Sequence, residues 1–203
     1  KEAGAQAVKF QKYYVQEMLA QGHGMEETFT KLVWKESAWD HLISSARKEG
    51  LLVFMDVFGV RAYESLSHLP PVDGLKIHGA DIGNTPLLKL LSKDIRPILL
   101  GTGGSSDREI FSALSSLGSP HRLVVMHGYQ AFPTPMEETS LARLKFLAQT
   151  FGVAIGLSDH LDASDSFARI LPLLAIPFGV CCIEKHLTLD RKAHGIDYQS
   201  SLM

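Results

Sequence analysis

Gly179-Val180-Cys181-Cys182-Ile183-Glu184-Lys185-His186 and, upstream of it, Gly156-Leu157-Ser158-Asp159-His160 share one pattern. Each begins as an apolar run without alternation and ends abruptly in charged and imidazole side chains. A strand buried on both faces reads this way when its C-terminal end opens into a site. Two such ends on neighbouring strands would bring His160 and His186 together, with Ser158, Asp159, Glu184 and Lys185 close by.

Working outward, short apolar runs recur at Ala7–Phe10, Leu51–Val57, Leu75–Ile77, Pro97–Leu100, Arg122–Met126, Val153–Leu157 and Val180–Glu184. Helical stretches separate most of them: Ser37 to about Glu49, Arg61–Leu69, Pro86–Leu91, Asp107–Leu117, Met136–Phe151 and Ser164–Leu174. Ser37-Ala38-Trp39-Asp40 fits a capping box, and Gly50 fits a helix stop. Residues 11–36 read as a long irregular connection broken at Gly22-His23-Gly24. Strands alternating with helices imply a parallel sheet covered by helices, and seven such units point to an α/β (β/α)8 (TIM) barrel lacking its first strand and most of its first helix. A doubly wound open sheet lacks its glycine-rich fingerprint here. One domain over residues 1–203 is expected.

The chain has 203 residues, 45% of them hydrophobic and 21% charged, with a formal charge of −2, the composition of an ordinary folded domain. No basic run or stripe offers a nucleic-acid surface. Cys181 and Cys182 are adjacent, cannot staple distant segments, and suit a reducing cytoplasm. The longest uncharged apolar stretch, Ile170–Ile183, carries two prolines and a glycine and is too short to span a bilayer. No signal-peptide pattern opens the chain, although its first residues read as the end of a severed helix.

In a parallel barrel the chemistry lies at the C-terminal strand ends. Those ends carry Lys9 and Gln11, Asp56, Lys76 with Asp81, Thr102, His127, Ser158-Asp159-His160 and Glu184-Lys185-His186. Lysines on inward strand positions need an anion, because an unpaired ammonium is costly to bury. Either a phosphate or carboxylate ligand meets that need at Lys9 and Lys76, or Asp56, Asp81 or Glu184 does so as a structural network. Two imidazoles beside carboxylates read either as hydrogen-bonded core histidines or as ligands of a divalent ion with open positions, manganese or magnesium rather than a closed zinc site. Gly101-Thr102-Gly103-Gly104 ahead of a helix is a phosphate-holding turn or an ordinary loop.

With these pieces in place, the sequence resembles the sialic acid synthase family, the phosphoenolpyruvate-dependent synthases of nonulosonic acids. The matching strings are A-V-K-F-Q at Ala7–Gln11, L-K-I at Leu75–Ile77, G-T-G at Gly101–Gly103, F-P-T-P at Phe132–Pro135, G-L-S-D-H at Gly156–His160, E-K-H-L-T-L-D-R at Glu184–Arg191 and G-I-D at Gly195–Asp197. The resemblance implies condensation of phosphoenolpyruvate with an N-acylated amino sugar of the N-acetylmannosamine type, with release of phosphate. It implies manganese, or magnesium in its place, on His160 and His186, with Glu184 and Lys185 joining them as catalytic residues. It further implies phosphoenolpyruvate on Lys9, Lys76 and Ser158, the remaining substrate contacts from Gln11, Asp81, Thr102, Gln130 and Asp197, a cytoplasmic homodimer, a barrel whose first strand and helix precede Lys1, and in bacterial members a small antifreeze-like domain after the barrel.

The sequence also departs from the family's pattern. Family members have S-T-G-M where Gly101-Thr102-Gly103-Gly104 stand, H-C-x-x-x-Y-P-T-P where His127-Gly128 and Phe132 stand, a serine at Gly79, and T-P-F-D at Asp56-Val57-Phe58-Gly59. Each hydrogen bond lost to a charged ligand is worth about 1.5–3 kcal/mol. A catalytically impaired barrel that binds sugars or partners is therefore the alternative reading, and a different metal-dependent aldol condensation is a third.

Overall fold

The computed structural model describes residues 1–203. Seven strands, β1 (Ala7–Lys12), β2 (Leu52–Val57), β3 (Gly74–Ile77), β4 (Ile98–Gly101), β5 (Leu123–His127), β6 (Ala154–Asp159) and β7 (Cys182–Lys185), follow one another in chain order in a single sheet. The pairs β1–β2, β2–β3, β5–β6 and β6–β7 are parallel. The helices are α1 (Val15–Met18), α2 (Glu26–Lys31), α3 (Glu36–Lys48), α4 (Gly59–Ser65), α5 (Thr85–Leu91), α6 (Asp107–Leu117), α7 (Ala142–Phe151) and α8 (Leu171–Ala175). All seven expected strands are present to within two or three residues at their ends. The alternation of strand and helix is that of an α/β fold.

The chain forms two compact units, residues 1–99 with 113–122, and residues 100–112 with 123–203. In the first, strand positions Val53, Met55, Val57, Leu75 and Ile77 and helix positions Ile43, Leu87 and Leu91 are wholly buried. That fits the largely apolar β2 and β3: from Met55 onward both faces of β2 are covered, as is all of β3, and Asp56 and Lys76 are the charged residues buried within them. Gly74 is required by its neighbour, since a side chain there would collide with the ring of Phe54. In the second unit, Leu123, Val125 and Met126 on β5, Ile155 and Leu157 on β6, and Leu144 and Leu147 on α7 form the buried set. A side chain at Gly156 would run into the sulfurs of Met126 and Cys182.

Three helix expectations are corrected. α3 starts one residue early, and its N-cap is Lys35 with no side-chain cap, so Ser37 and Asp40 do not form a capping box. The stretch expected as one helix over Met136–Phe151 is a single 3-10 turn, Met136–Glu138, then a break at Ser140 in the left-handed region (φ 38°), and only then α7. The helix expected over Ser164–Leu174 forms only as α8. Asp162 Oδ1 accepts from the Ser164 amide at 2.8 Å and Asp165 Oδ1 from the Phe167 amide at 2.8 Å. These local turns offer the backbone an alternative to helical bonds.

Two charged centres in the first unit and a histidine pair in the second

In the first unit the strand registers line up one row of polar side chains. Gln11 pairs with Asp56 across β1–β2, and Asp56 pairs with Lys76 across β2–β3. Partners in parallel strands share a face, and Lys9, two residues before Gln11, shares it too. Asp56 is wholly buried and Lys76 nearly so. Asp56 Oδ2 lies 3.1 Å from the Lys9 ammonium and 3.9 Å from that of Lys76. Of the alternatives open in the sequence, an internal carboxylate on the lysine pair is thus present, and Asp56 rather than Asp81 provides it.

Asp81 is used by the chain itself: Oδ2 accepts from the Gly59 amide at 2.8 Å and Oδ1 from Asn84 Nδ2 at 2.9 Å. Asn84 in turn caps α5, its Oδ1 accepting from the Leu87 amide at 3.2 Å. Asp81 thereby ties the start of α4, where Gly59 has φ 82°, to the cap of α5. His78, which the sequence reading passed over, lies just beyond Lys76. Its ring stacks on Phe58 with centroids 5.0 Å apart, and its Nδ1 accepts from the Ala80 amide. Burial pushes its pKa down, and the ammoniums of Lys76 and Lys9 add to that, against the opposing pull of Asp56.

The second charged centre of the first unit is remote from any residue singled out in the sequence. Burial pushes the Asp94 carboxyl up, but hydrogen bonds from Arg96 and from the Tyr63 hydroxyl outweigh it and hold the pKa down at about 2.

In the second unit β6 pairs with β7 so that Ser158 faces Glu184 and Asp159 faces Lys185. Strand alternation therefore separates the groups that the sequence had pooled. Ser158, His160, Glu184 and His186 belong to one face. Asp159 and Lys185 belong to the other, where the Lys185 ammonium sits 2.9 Å from Asp159 Oδ2. Lys185 is thus engaged in an ion pair on the face away from the histidines.

The rings of His160 and His186 have centroids 5.4 Å apart. Phe132 packs against both, at 4.3 Å from His160 and 6.2 Å, edge-on, from His186. His160 is held from several sides. Its carbonyl accepts from the Thr134 amide at 2.8 Å and from the wholly buried Ser200 hydroxyl at 2.7 Å. Its Nδ1 lies 3.3 Å from the Tyr129 carbonyl. A carbonyl only accepts, so Nδ1 carries the proton, which leaves Nε2 as the ring nitrogen that a metal ion would bind. Phe132, Tyr129, Thr134 and Ser200 were not legible as supports of His160; only the F-P-T-P string hinted that this loop mattered.

Ser158 Oγ is buried and has no hydrogen-bond partner. Gly128 lies against it: a Cβ there would come 2.7 Å from the Ser158 carbonyl and 2.9 Å from its Cβ. This approach explains glycine at a position where the resemblance leads one to expect cysteine. Gly103 likewise approaches Gly128 and the amide of Gln130, whose Oε1 would be 2.9 Å from an added Cβ. Thr102 donates from both its amide and its hydroxyl to the Met126 carbonyl, at 3.2 and 3.0 Å, and so fastens the end of β4 to β5. His127 is buried, with Nε2 donating to the Thr139 carbonyl at 2.9 Å, and burial lowers its pKa. Asp197 sits in the left-handed region at φ 58°, its carbonyl receiving the Ser201 hydroxyl at 2.9 Å. No three His, Cys, Asp or Glu side chains cluster as a closed metal site.

A family model described as the NeuB family matches residues 1–203. The chain belongs to the NeuB family. It is 27% identical over 218 residues to a pseudaminic acid synthase of Campylobacter jejuni, covering 100% of this chain and 62% of that protein. A crystal structure of the sialic acid synthetase of Leptospira borgpetersenii, in complex with citrate, superposes with a TM-score of 0.89 at 28% identity, over 98% of this chain and 68% of that one. The phospho-2-dehydro-3-deoxyheptonate aldolase of Thermotoga maritima shares the fold, with a TM-score of 0.74 at 16% identity over 99% of this chain and 57% of its own. The chain spans about three fifths of the length of the curated relatives it matches. No helix is long and apolar enough to cross a membrane.

Proposed function

We propose that the protein condenses phosphoenolpyruvate with the open-chain aldehyde of an N-acylated amino sugar, of the N-acetylmannosamine type, and releases inorganic phosphate. The observation that carries this is the His160–His186 pair beside the unpartnered, buried Ser158 hydroxyl, in a chain of the NeuB family. Two imidazoles without a closing set of carboxylates fit an ion that keeps positions for water and substrate. His160 and His186 would hold a divalent ion, manganese with magnesium as its substitute, which supplies Lewis-acid polarisation of the acceptor aldehyde.

The residues of the chain do the rest. Lys9 and Lys76 hold the anionic donor, and Ser158 Oγ donates to one of its oxygens. Gln11, Thr102, Gln130 and Asp197 are the remaining substrate contacts, and Glu184, on the histidine face, is the catalytic carboxylate. Lys185 and Asp81, engaged by Asp159 and by Gly59 with Asn84, act by fixing their loops. A carbon–carbon bond forms from C3 of phosphoenolpyruvate to the aldehyde carbon, water adds at C2, and phosphate departs to leave the 2-keto acid. The same reading takes the sheet as seven strands of a (β/α)8 barrel and puts a homodimer in the cytoplasm, a compartment that suits Cys181 and Cys182 as reduced thiols.

Full-length protein incubated with manganese, phosphoenolpyruvate and N-acetylmannosamine-type sugars is expected to release phosphate. No release with any such acceptor, from folded protein, sinks the reading. His186→Ala should lower manganese affinity by about 100-fold or more, with the melting temperature nearly unchanged. Unchanged manganese affinity would remove His186 from the ligand set.

A further inference from the structure

We propose that Asp56 sets which anions the lysine pair accepts, acting as a resident counter-ion that any ligand on Lys9 and Lys76 must share them with. The inference rests on the reading that these lysines hold an anion. Asp56 lies at the centre of a register row, between Gln11 on β1 and Lys76 on β3. It is wholly buried, and a single oxygen, Oδ2, serves both ammoniums, at 3.1 Å from Lys9 and 3.9 Å from Lys76. The other oxygen, Oδ1, is buried with no hydrogen-bond partner.

A carboxylate placed only to neutralise buried charge is expected to have both oxygens satisfied, because a buried acceptor without a donor is costly. Here one oxygen answers the lysines and the other is an acceptor that the protein leaves for a donor. Asp56 offsets part of the charge of the two ammoniums and offers an acceptor beside them, so the row favours a ligand portion that brings less negative charge together with a hydrogen-bond donor, such as a hydroxy acid or a singly protonated phosphate. A fully ionised phosphate meets Asp56 as a like charge, and like charges brought together at a buried site count against binding. Asp56 is thus a specificity-determining residue: the ammoniums supply the attraction and the carboxylate limits how much negative charge they take.

The test is calorimetric titration of the full-length protein, in low-salt buffer at pH 8, with inorganic phosphate and with pyruvate as probes. Asp56→Asn and Asp56→Thr remove the charge while keeping a polar side chain of similar or smaller size. Phosphate affinity is expected to rise about tenfold or more in either variant, with pyruvate affinity changing less, and adding Lys9→Met should abolish the gain. Unchanged or weaker phosphate binding in both variants overturns the proposal. If a variant melts too low to titrate, the melting temperature against phosphate concentration decides: a phosphate-dependent rise larger than that of the wild type supports the proposal, and an equal or smaller rise overturns it. These titrations need neither an acceptor sugar nor turnover. A synthase reading that fails for lack of phosphate release therefore leaves their outcome intact, and the reverse holds too.

Discussion

In the first unit the polar row of β1–β3 is built from full charges: two lysines share a carboxylate that is wholly buried. In the second unit the strand ends of β6 and β7 present two imidazoles, a hydroxyl and the Glu184 carboxylate on one face and send the Asp159–Lys185 ion pair to the other. Orientation in the second unit comes from elsewhere. The His160 carbonyl is gripped by Thr134 and Ser200, its Nδ1 is set by the Tyr129 carbonyl, and its ring is covered by Phe132. A charged row derives its geometry from its own members, so removing one member unbalances the rest. A histidine held through its backbone, as His160 is, can lose its side chain and keep its frame.

The largest effect expected from that contrast is on stability in the first unit. Lys9→Met together with Lys76→Met leaves the buried Asp56 without its ammoniums, and breaking a buried pair in this way costs about 3–5 kcal/mol. Urea denaturation at pH 7 should show that loss. A loss under about 1 kcal/mol would mean that the row is no more charge-dependent than an exposed ion pair, and the contrast between the units would collapse.

The fold was legible because its signal is periodic. Predominantly apolar runs such as Leu51–Val57, bounded by turn signals, read as buried strands, and Val53, Met55 and Val57 are indeed wholly buried, with Asp56 among them. Strand-end residues were legible for the same reason, since an apolar run that stops at Ser158-Asp159-His160 announces an open end. What could not be read was the sorting of those residues by face. A run of consecutive polar residues looks like one cluster, yet alternation with a two-residue period divides it, and Lys185 went to the far side with Asp159. The supports of His160 were illegible as well, because Ser200 is 40 residues away in the chain and nothing local marks it. Helices failed where short side chains competed for backbone amides, as Asp162 and Asp165 do ahead of α8.

Ser158→Ala sharpens the comparison from the other side. The hydroxyl is buried and unpartnered in the protein, so its removal leaves no broken internal bond and lifts a desolvation cost. Stability should hold or rise by up to about 1 kcal/mol. Phosphoenolpyruvate binding, measured by titration in the presence of manganese, should weaken by about tenfold, the equivalent of one hydrogen bond to a charged ligand. A destabilised variant with unchanged affinity would make Ser158 a structural hydroxyl and bring the second unit closer in kind to the first.

The smallest effect, and the one that compares the units by pH, comes from His127 against Asp94. His127 is buried with its pKa lowered from 6.5. Between that ordinary value and its lower folded one, the unfolded chain binds the proton more readily than the folded chain does. The stability tied to the neutral ring is therefore complete above pH 6.5 and is lost as the pH falls towards the folded value. Asp94 in the first unit is lowered from 3.8 to about 2, so its contribution persists down to pH 3.8 and is lost only as the pH falls through about 2. His78 is lowered by burial too, so acid reaches both units, and a substitution is needed to separate them. His127→Gln keeps a donor for the Thr139 carbonyl while removing the titration. Chemical denaturation of this variant at pH 7 and pH 5 should show a smaller pH dependence than the wild type. An identical pH dependence would assign the acid-sensitive step to His78 of the first unit instead.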